Sequence, residues 1–165
     1  MSSNSSKIFN PMDMSPRTNS GYPSPYDEPV TGREKRSLGN HAGLNNFGVN
    51  LVHIKPGGMS SQRHYHSHQD EFIYVLSGQL TLVTDNGKQI IDAGQCVGFA
   101  ASGNDGHHLI NESHETASYL EIGDRTADDQ ANYPDIDLRA INEDGHYQFY
   151  HKDGTPYSQK TNGDK

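Results

Sequence analysis

The sequence predicts an all-β fold, a sandwich or small barrel, on three observations. Between about residues 44 and 123 the chain breaks into short segments rich in β-branched and aromatic residues. Turn signals separate these segments at close intervals. No apolar period of 3.6 residues persists for ten residues anywhere in the region, as an amphipathic helix would require.

The elements follow in order. "NFGVNLVHIK" alternates Phe47, Val49, Leu51 and His53 against Gly48, Asn50, Val52 and Ile54. Then come "QRHYHSH", "EFIYVL", "QLTLVTD", "KQIID", "QCVGFA", "HHLIN" and "TASYLEIG", about eight strands in all. The breaks between them are "PGG" (Pro56 to Gly58), Ser77-Gly78, "DNGK" (Asp85 to Lys88), "DAG" (Asp92 to Gly94) and "SGNDG" (Ser102 to Gly106). Asn86-Gly87 is a strong signal for a two-residue hairpin loop, because both residue types tolerate positive φ. Phe72, Tyr74, Leu76, Leu80 and Leu82 are expected to be core and sheet packing.

Outside this region the composition changes. Residues 1–30 are rich in Ser, Asn and Pro and are expected to form a flexible N-terminal arm, since they bury too little apolar surface to offset ordering entropy. Residues 31–125 are assigned to the barrel and 126–165 to a C-terminal extension. "GDRTADDQANYPDIDL" (Gly123 to Leu138) is polar and acidic, and its run Asp124 to Asp129 reads as a solvated connection. The end is expected to fray beyond Tyr157, with His146 and His151 solvated.

The 165 residues are one domain's worth. With 21 acidic against 13 basic residues the formal charge is −8, which disfavours phosphate backbones and anionic lipid surfaces as partners. The single cysteine, Cys96, allows neither an intramolecular disulfide nor a thiolate metal cage, and it is expected to be a small buried strand residue. The N-terminus lacks the charged-then-apolar pattern of a signal peptide. No run approaches the roughly 18 apolar residues of a membrane-spanning helix. A cytoplasmic protein is expected, with no nucleic-acid or membrane partner.

The chemistry concentrates in "GGMSSQRHYHSHQDEFIYVLSG", Gly57 to Gly78. In a strand, residues i, i+2 and i+4 share a face, so His64, His66 and His68 point one way with Gln62. Arg63, Tyr65 and Ser67 point the other way. Two imidazoles at i and i+2 can converge on one ion, and Glu71 can join them after a bend. Imidazole with carboxylate suits Mn, Fe, Co, Ni or Zn, and ligand type does not choose among these divalent transition metals. The plain alternative is a His-rich surface strand without an ion. "DGHHLIN" favours the metal, because a barrel can bring a further histidine opposite His64 and His66.

Gly58, His64, His66, Glu71 and Gly78 stand in the pattern G-x5-H-x-H-x4-E-x6-G, which resembles the first motif of the cupin superfamily. Gly94, His107 and Asn111 resemble the second motif, with Ala100 in place of its proline and a loop two residues longer before the histidine. The wider chain, from about Gly32 to Tyr157, is similar to small single-domain bacterial cupins often labelled sugar-phosphate (mannose-6-phosphate) isomerase-like. The resemblance implies a double-stranded β-helix, a jelly-roll-like barrel holding a metal on His64, His66, Glu71 and His107. His68 falls in the spacer of the first motif, and His108 points away from His107, so both are left out.

Other residues complete the expectation. Asn111 is read as holding the His107 strand by hydrogen bonding. Tyr119 and Glu121 alternate with Leu120 and Ile122 and become catalytic candidates if their face looks inward. His53 and Gln62 are comparable guesses at pocket lining. A ligand set of three histidines and one glutamate leaves open positions on a six-coordinate metal. The function expected is therefore a metal-dependent, isomerase-like enzyme for a small oxygen-rich metabolite such as a sugar, sugar phosphate or keto acid. Two alternatives stand beside it: a non-catalytic metabolite-binding or sequestering protein, and a metal-dependent dioxygenase or decarboxylase. Open sheet edges and the Pro-rich arm point to a homodimer.

Overall fold

The computed structural model describes residues 8–143 and 145–158. Among them the first strands are β1 (Arg33–Ser37), β2 (Phe47–Ile54), β3 (Tyr65–His66), β4 (Glu71–Ser77), β5 (Gln79–Thr84) and β6 (Gly87–Asp92). They are followed by β7 (Cys96–Phe99), β8 (His108–Ile110), β9 (Ala117–Asp124), β10 (Gln130–Tyr133), β11 (Leu138–Glu143) and β12 (His146–Tyr150). One four-residue helix, α1 (Leu38–His41), follows β1. No helix among the described residues is long and apolar enough to cross a membrane.

One wall of the barrel is a five-stranded antiparallel sheet in the order β1-β2-β9-β4-β7. The facing wall is built in two pieces, β6-β5-β8 and β3-β10-β11-β12. Isolated bridges Met59↔Ile110 and His64↔His107 lay residues 59–64 along β8, and β3 then pairs with β10, so the two pieces run on from one another. Two facing antiparallel sheets wound in this way are the double-stranded β-helix. All eight segments expected between Phe47 and Asp124 form strands there, although "QRHYHSH" contributes only Tyr65–His66 to a ladder.

The turns follow their sequences with one shift. Thr84 pairs with Gly87, so the hairpin loop is Asp85-Asn86 rather than Asn86-Gly87. Gly87, at φ 104°, opens β6 and alone supplies the positive φ expected of two residues. At Gly78 (φ 73°) a Cβ would lie 2.9 Å from Ala117 Cα, so the turn from β4 to β5 tolerates only glycine.

The aliphatic core is Val52, Ile54, Ile73, Val75, Leu80, Leu82, Ile91, Leu109, Ala117 and Tyr119. Burying each large side chain contributes on the order of 1.5–3 kcal/mol. Leu80 and Leu82 lie there as expected, but Phe72, Tyr74 and Leu76 do not. They take the outer face of β4 and remain 41%, 40% and 44% exposed. The strand alternates Glu71, Ile73 and Val75 inward, and period 2 then sends every even position out. Cys96, opposite Tyr74 on the outer face, is exposed rather than buried.

A second cluster joins the ends of the chain. Tyr22 and Val30 are buried against Ala131, Tyr133, Leu138 and Ala140. Tyr22 meets Tyr133 edge-on at 5.8 Å and Phe149 at 5.7 Å. Backbone bonds between Arg17 and Lys35, both 2.9 Å, lay the N-terminal segment beside β1. Residues 8–30 therefore pack on the barrel where a flexible arm was expected. Tyr22 is set to meet the aromatics of β10 and β12 and Val30 is buried in the same cluster, contacts that a composition count does not weigh. Residues 1–7 and 159–165 of the expected arm and fraying tail lie outside the described residues.

Candidate metal centre

The paired-position rule for strands delivers the first two histidines. His64 accepts a bridge to His107 on one side, with N···O distances of 3.2 and 2.8 Å, and His66 sits in β3 against Ala131. Both line one cavity of about 350 Å³ inside the barrel, within the range of small-molecule sites. Glu71 enters from the first residue of β4 on the opposite wall. Candidate ligand atoms of His64, His66 and Glu71 all lie within 4.8 Å of one another. The Nε2 atoms of His64 and His66 are each 3.6 Å from Glu71 Oε2.

His107 joins from the other side, with its Nε2 2.7 Å from the same Glu71 oxygen. It stands outside the mutual spacing that groups the other three, closer to the carboxylate than to both other rings. The longer loop before it, residues 100–106, does not displace its backbone, because the bridge to His64 fixes it. Its ring lies flat on Phe99, centroids 3.5 Å apart and planes 2° apart. His107 Nδ1 is buried without a hydrogen-bond partner among the described residues.

The outer nitrogens of the first two rings are committed. His64 Nδ1 donates to the Gln62 carbonyl at 2.9 Å, and His66 Nδ1 donates to Asp129 Oδ2 at 2.5 Å. Each ring is thereby held with its Nε2 lone pair facing the centre, the arrangement that orients imidazole ligands on a metal. Asp129 has a side chain with no exposed surface and also accepts from Tyr147 Oη at 2.7 Å and from the His68 amide at 2.8 Å. Donor chemistry, ring orientation and outer hydrogen bonds all fit a divalent transition metal.

The electrostatics keep both buried carboxylates ionised. Burial opposes ionisation of Glu71, but the hydrogen bond from His107 and the neighbouring His64 and His66 rings outweigh it and hold its carboxyl well below the usual carboxylate range. Burial likewise works against charge on Asp129, and donors from His66, Tyr147 and the His68 amide hold it below that range too. His66 is raised: burial lowers it, and the Asp129 hydrogen bond more than compensates. His107 is lowered, with burial dominating its contact with Glu71.

Tyr119 and Glu121 both line the cavity from β9, so their face does look inward. Burial pushes the Tyr119 phenol well above its ordinary value. Glu121 is clasped by Lys35, with Nζ···O distances of 2.8 and 3.0 Å. Asn111 is fully buried, but its amide donates to Ile54 and Glu115 carbonyls at 2.7 Å and accepts from Ser113. It fastens the far end of β8 rather than His107 itself. His68 turns to Ser67, its Nδ1 2.8 Å from the hydroxyl, outside the cavity wall. His108 does line that wall, with its Nδ1 bonded to the Ser61 carbonyl.

Some expectations change. His53 lies near Arg36 and Gln62 donates to the Tyr26 carbonyl, so neither faces this cavity. His151 is half-buried, pairs with Asp137 at 2.7 Å and stacks on Tyr157. Asp129, taken as part of a solvated acidic run, is the buried partner of His66. Its signal was faint: it is the last acid before Gln130–Tyr133, a short alternating segment that proves to be β10. Arg33 and Lys35 also line the cavity, and nothing in "REKRS" beyond its alternation marks them.

Residues 50–123 match the family model of the cupin domain, and 37% identity runs over 92% of this chain to a solved structure. The chain belongs to the cupin superfamily. That structure is of a cupin-superfamily sugar phosphate isomerase from Silicibacter pomeroyi, covered over 96% of its length with a TM-score of 0.87. The chain is also similar to a provisionally named sugar phosphate isomerase from Acidithiobacillus ferrooxidans, at 32% identity over 79% of this chain and 84% of that one, TM-score 0.69. The polyketide cyclase RemF from Streptomyces resistomycificus shares the fold at 19% identity and TM-score 0.60, over 71% of this chain and 78% of that one. No curated protein matches the chain.

Proposed function

We propose that this cupin is a divalent-metal-dependent enzyme acting on a small oxygen-rich metabolite, a sugar, sugar phosphate or keto acid, by an isomerase-like proton transfer. The observation that carries the reading is the convergence of three Nε2 atoms on one Glu71 oxygen at the wall of a cavity of about 350 Å³. His64, His66, Glu71 and His107 would hold the ion, one of Mn, Fe, Co, Ni or Zn. Such an ion supplies Lewis-acid polarisation of a substrate carbonyl or hydroxyl.

The chain's own groups divide the remaining work. Glu121, held in place by Lys35, is the group that takes up and returns a proton. Tyr119 stays a neutral phenol because burial disfavours its anion, so it donates a hydrogen bond to substrate oxygen. The two isomerase-named relatives support the reaction class through overall likeness, and these side chains support it through their place on the cavity wall.

Elemental analysis of protein purified without added metal should find close to one transition-metal ion per chain, absent from a His64→Ala/His66→Ala variant. A screen of aldose–ketose and keto-acid substrates on the loaded protein should find turnover that Glu121→Gln lowers by 10²–10⁴-fold. Protein that takes up no ion sinks the metal reading, and tight ligand binding without turnover moves the protein to the binding class. We also propose a homodimer, supported by the exposed apolar row Phe72, Tyr74 and Leu76. Equilibrium ultracentrifugation showing only an 18.2 kDa species would remove it.

A further inference from the structure

Arg33 is the anomaly of the cavity wall. Its residue surface is only 8% exposed, its Nη1 donates to the Ser60 carbonyl at 2.5 Å, and its Nε is buried with no partner. No carboxylate of the described residues lies within ion-pair distance of it. A buried guanidinium without a counter-charge is costly, because the charge has lost its water and gained no anion.

The other charges in the wall are already matched. Glu71 is engaged by the imidazoles and Glu121 by Lys35. Asp124 accepts from the amides of Thr126 at 3.2 Å and Asp70 at 3.4 Å. Arg125 is exposed and donates to the Leu44 carbonyl and to Asn40. Arg33 alone is both buried and short of an acceptor. Period 2 along β1 puts Lys35 on the same inward face, so two cations stand together in the wall, and Glu121 pairs with Lys35 alone.

We infer that Arg33 is an oxyanion-binding subsite of this cavity, receiving a carboxylate or phosphate group of the ligand. A planar guanidinium fits the paired oxygens of such groups. The inference rests on the cavity being the substrate site, as proposed above, and it narrows the substrate class: the metabolite carries an anionic group as well as the oxygens that face the histidines. Specificity then comes from two separated anchors, since a neutral sugar leaves Arg33 buried and unmatched.

The test uses the full chain, freed of metal with a chelator and dialysed, so that it does not depend on the metal reading. Inorganic phosphate and malonate are titrated by calorimetry into wild type, Arg33→Gln and Arg33→Lys. The Arg33 Nε–H resonance, assigned by its loss in Arg33→Lys, is followed in parallel. Binding to wild type that falls at least tenfold in Arg33→Gln and less in Arg33→Lys, with a moving Nε–H signal, supports the subsite. Tighter phosphate than malonate assigns a phosphoryl group, and the reverse assigns a carboxylate. A resonance that stays still under both anions, or equal binding by wild type and Arg33→Gln, overturns it. If Arg33→Gln fails to fold, the wild-type resonance decides alone. Should elemental analysis find no metal while the resonance moves, the subsite stands and the metal reading falls.

Discussion

The two halves of the barrel interior are built from the same strands and do opposite things. Along β4 the inward row runs Glu71, Ile73, Val75, and along β9 it runs Glu121, Tyr119, Ala117. Along β2 it runs Asn50, Val52, Ile54, and His107 gives way to Leu109 at β8. Each row begins polar at the cavity and ends aliphatic in a closed core. The register aligns these changes, so the polar ends meet one another and the apolar ends pack. A strand period of 2 sets which residues face in, and the residue choice along that face decides where packing stops and chemistry begins.

Three measurements test whether the halves are separable. The largest effect belongs to the closed half: Leu109→Ala, at a fully buried site, should destabilise the fold by about 2–5 kcal/mol in denaturant titration while leaving metal stoichiometry unchanged. A matching loss of metal affinity would show that the halves are one unit. Next comes the open half, where Asp129→Asn should weaken metal binding by roughly 10–100-fold in chelator competition, by loosening His66. Unchanged affinity there would make Asp129 a purely structural acid.

The smallest effect lies on the rim, outside both halves. Arg63 clasps Asp135 through two 2.7 Å bonds and reaches Asp85, which holds the Asp135 carboxyl below its ordinary range. The native state therefore binds fewer protons than the unfolded one. The contribution is complete above the unfolded carboxylate value of about 3.9 and fades as pH falls through the lower native value. The carboxylate is 57% exposed, so Asp135→Asn should cost no more than about 1 kcal/mol at neutral pH. Thermal melts from pH 7 downward should show the difference shrinking in acid, and a gap that widens in acid would contradict this sign.

How much was legible follows from what each feature depends on. His64, His66 and Glu71 sit within eight consecutive residues, so strand alternation and spacing were enough to bring them together. His107 needed the family pattern, since only a tertiary bridge sets it beside His64. Phe72, Tyr74 and Leu76 misled because hydrophobic character marks a strand without saying which face is inside. Asp129 and Tyr147 were not legible because β3 pairs with β10, some sixty residues later, and Tyr147 reaches Asp129 from β12 in the same sheet, some eighty residues later. Arg33 was missed for the same kind of reason: its missing partner is a property of the folded cavity, not of "REKRS".

Tyr22 carries one last consequence. It lies in the segment before the barrel, yet it lines the same cavity as His64 and His66. One piece of the cavity wall is thus encoded in a different stretch of the chain from the residues that would carry the ion. A substitution at Tyr22 can therefore reshape that wall while leaving His64, His66, Glu71 and His107 as they are.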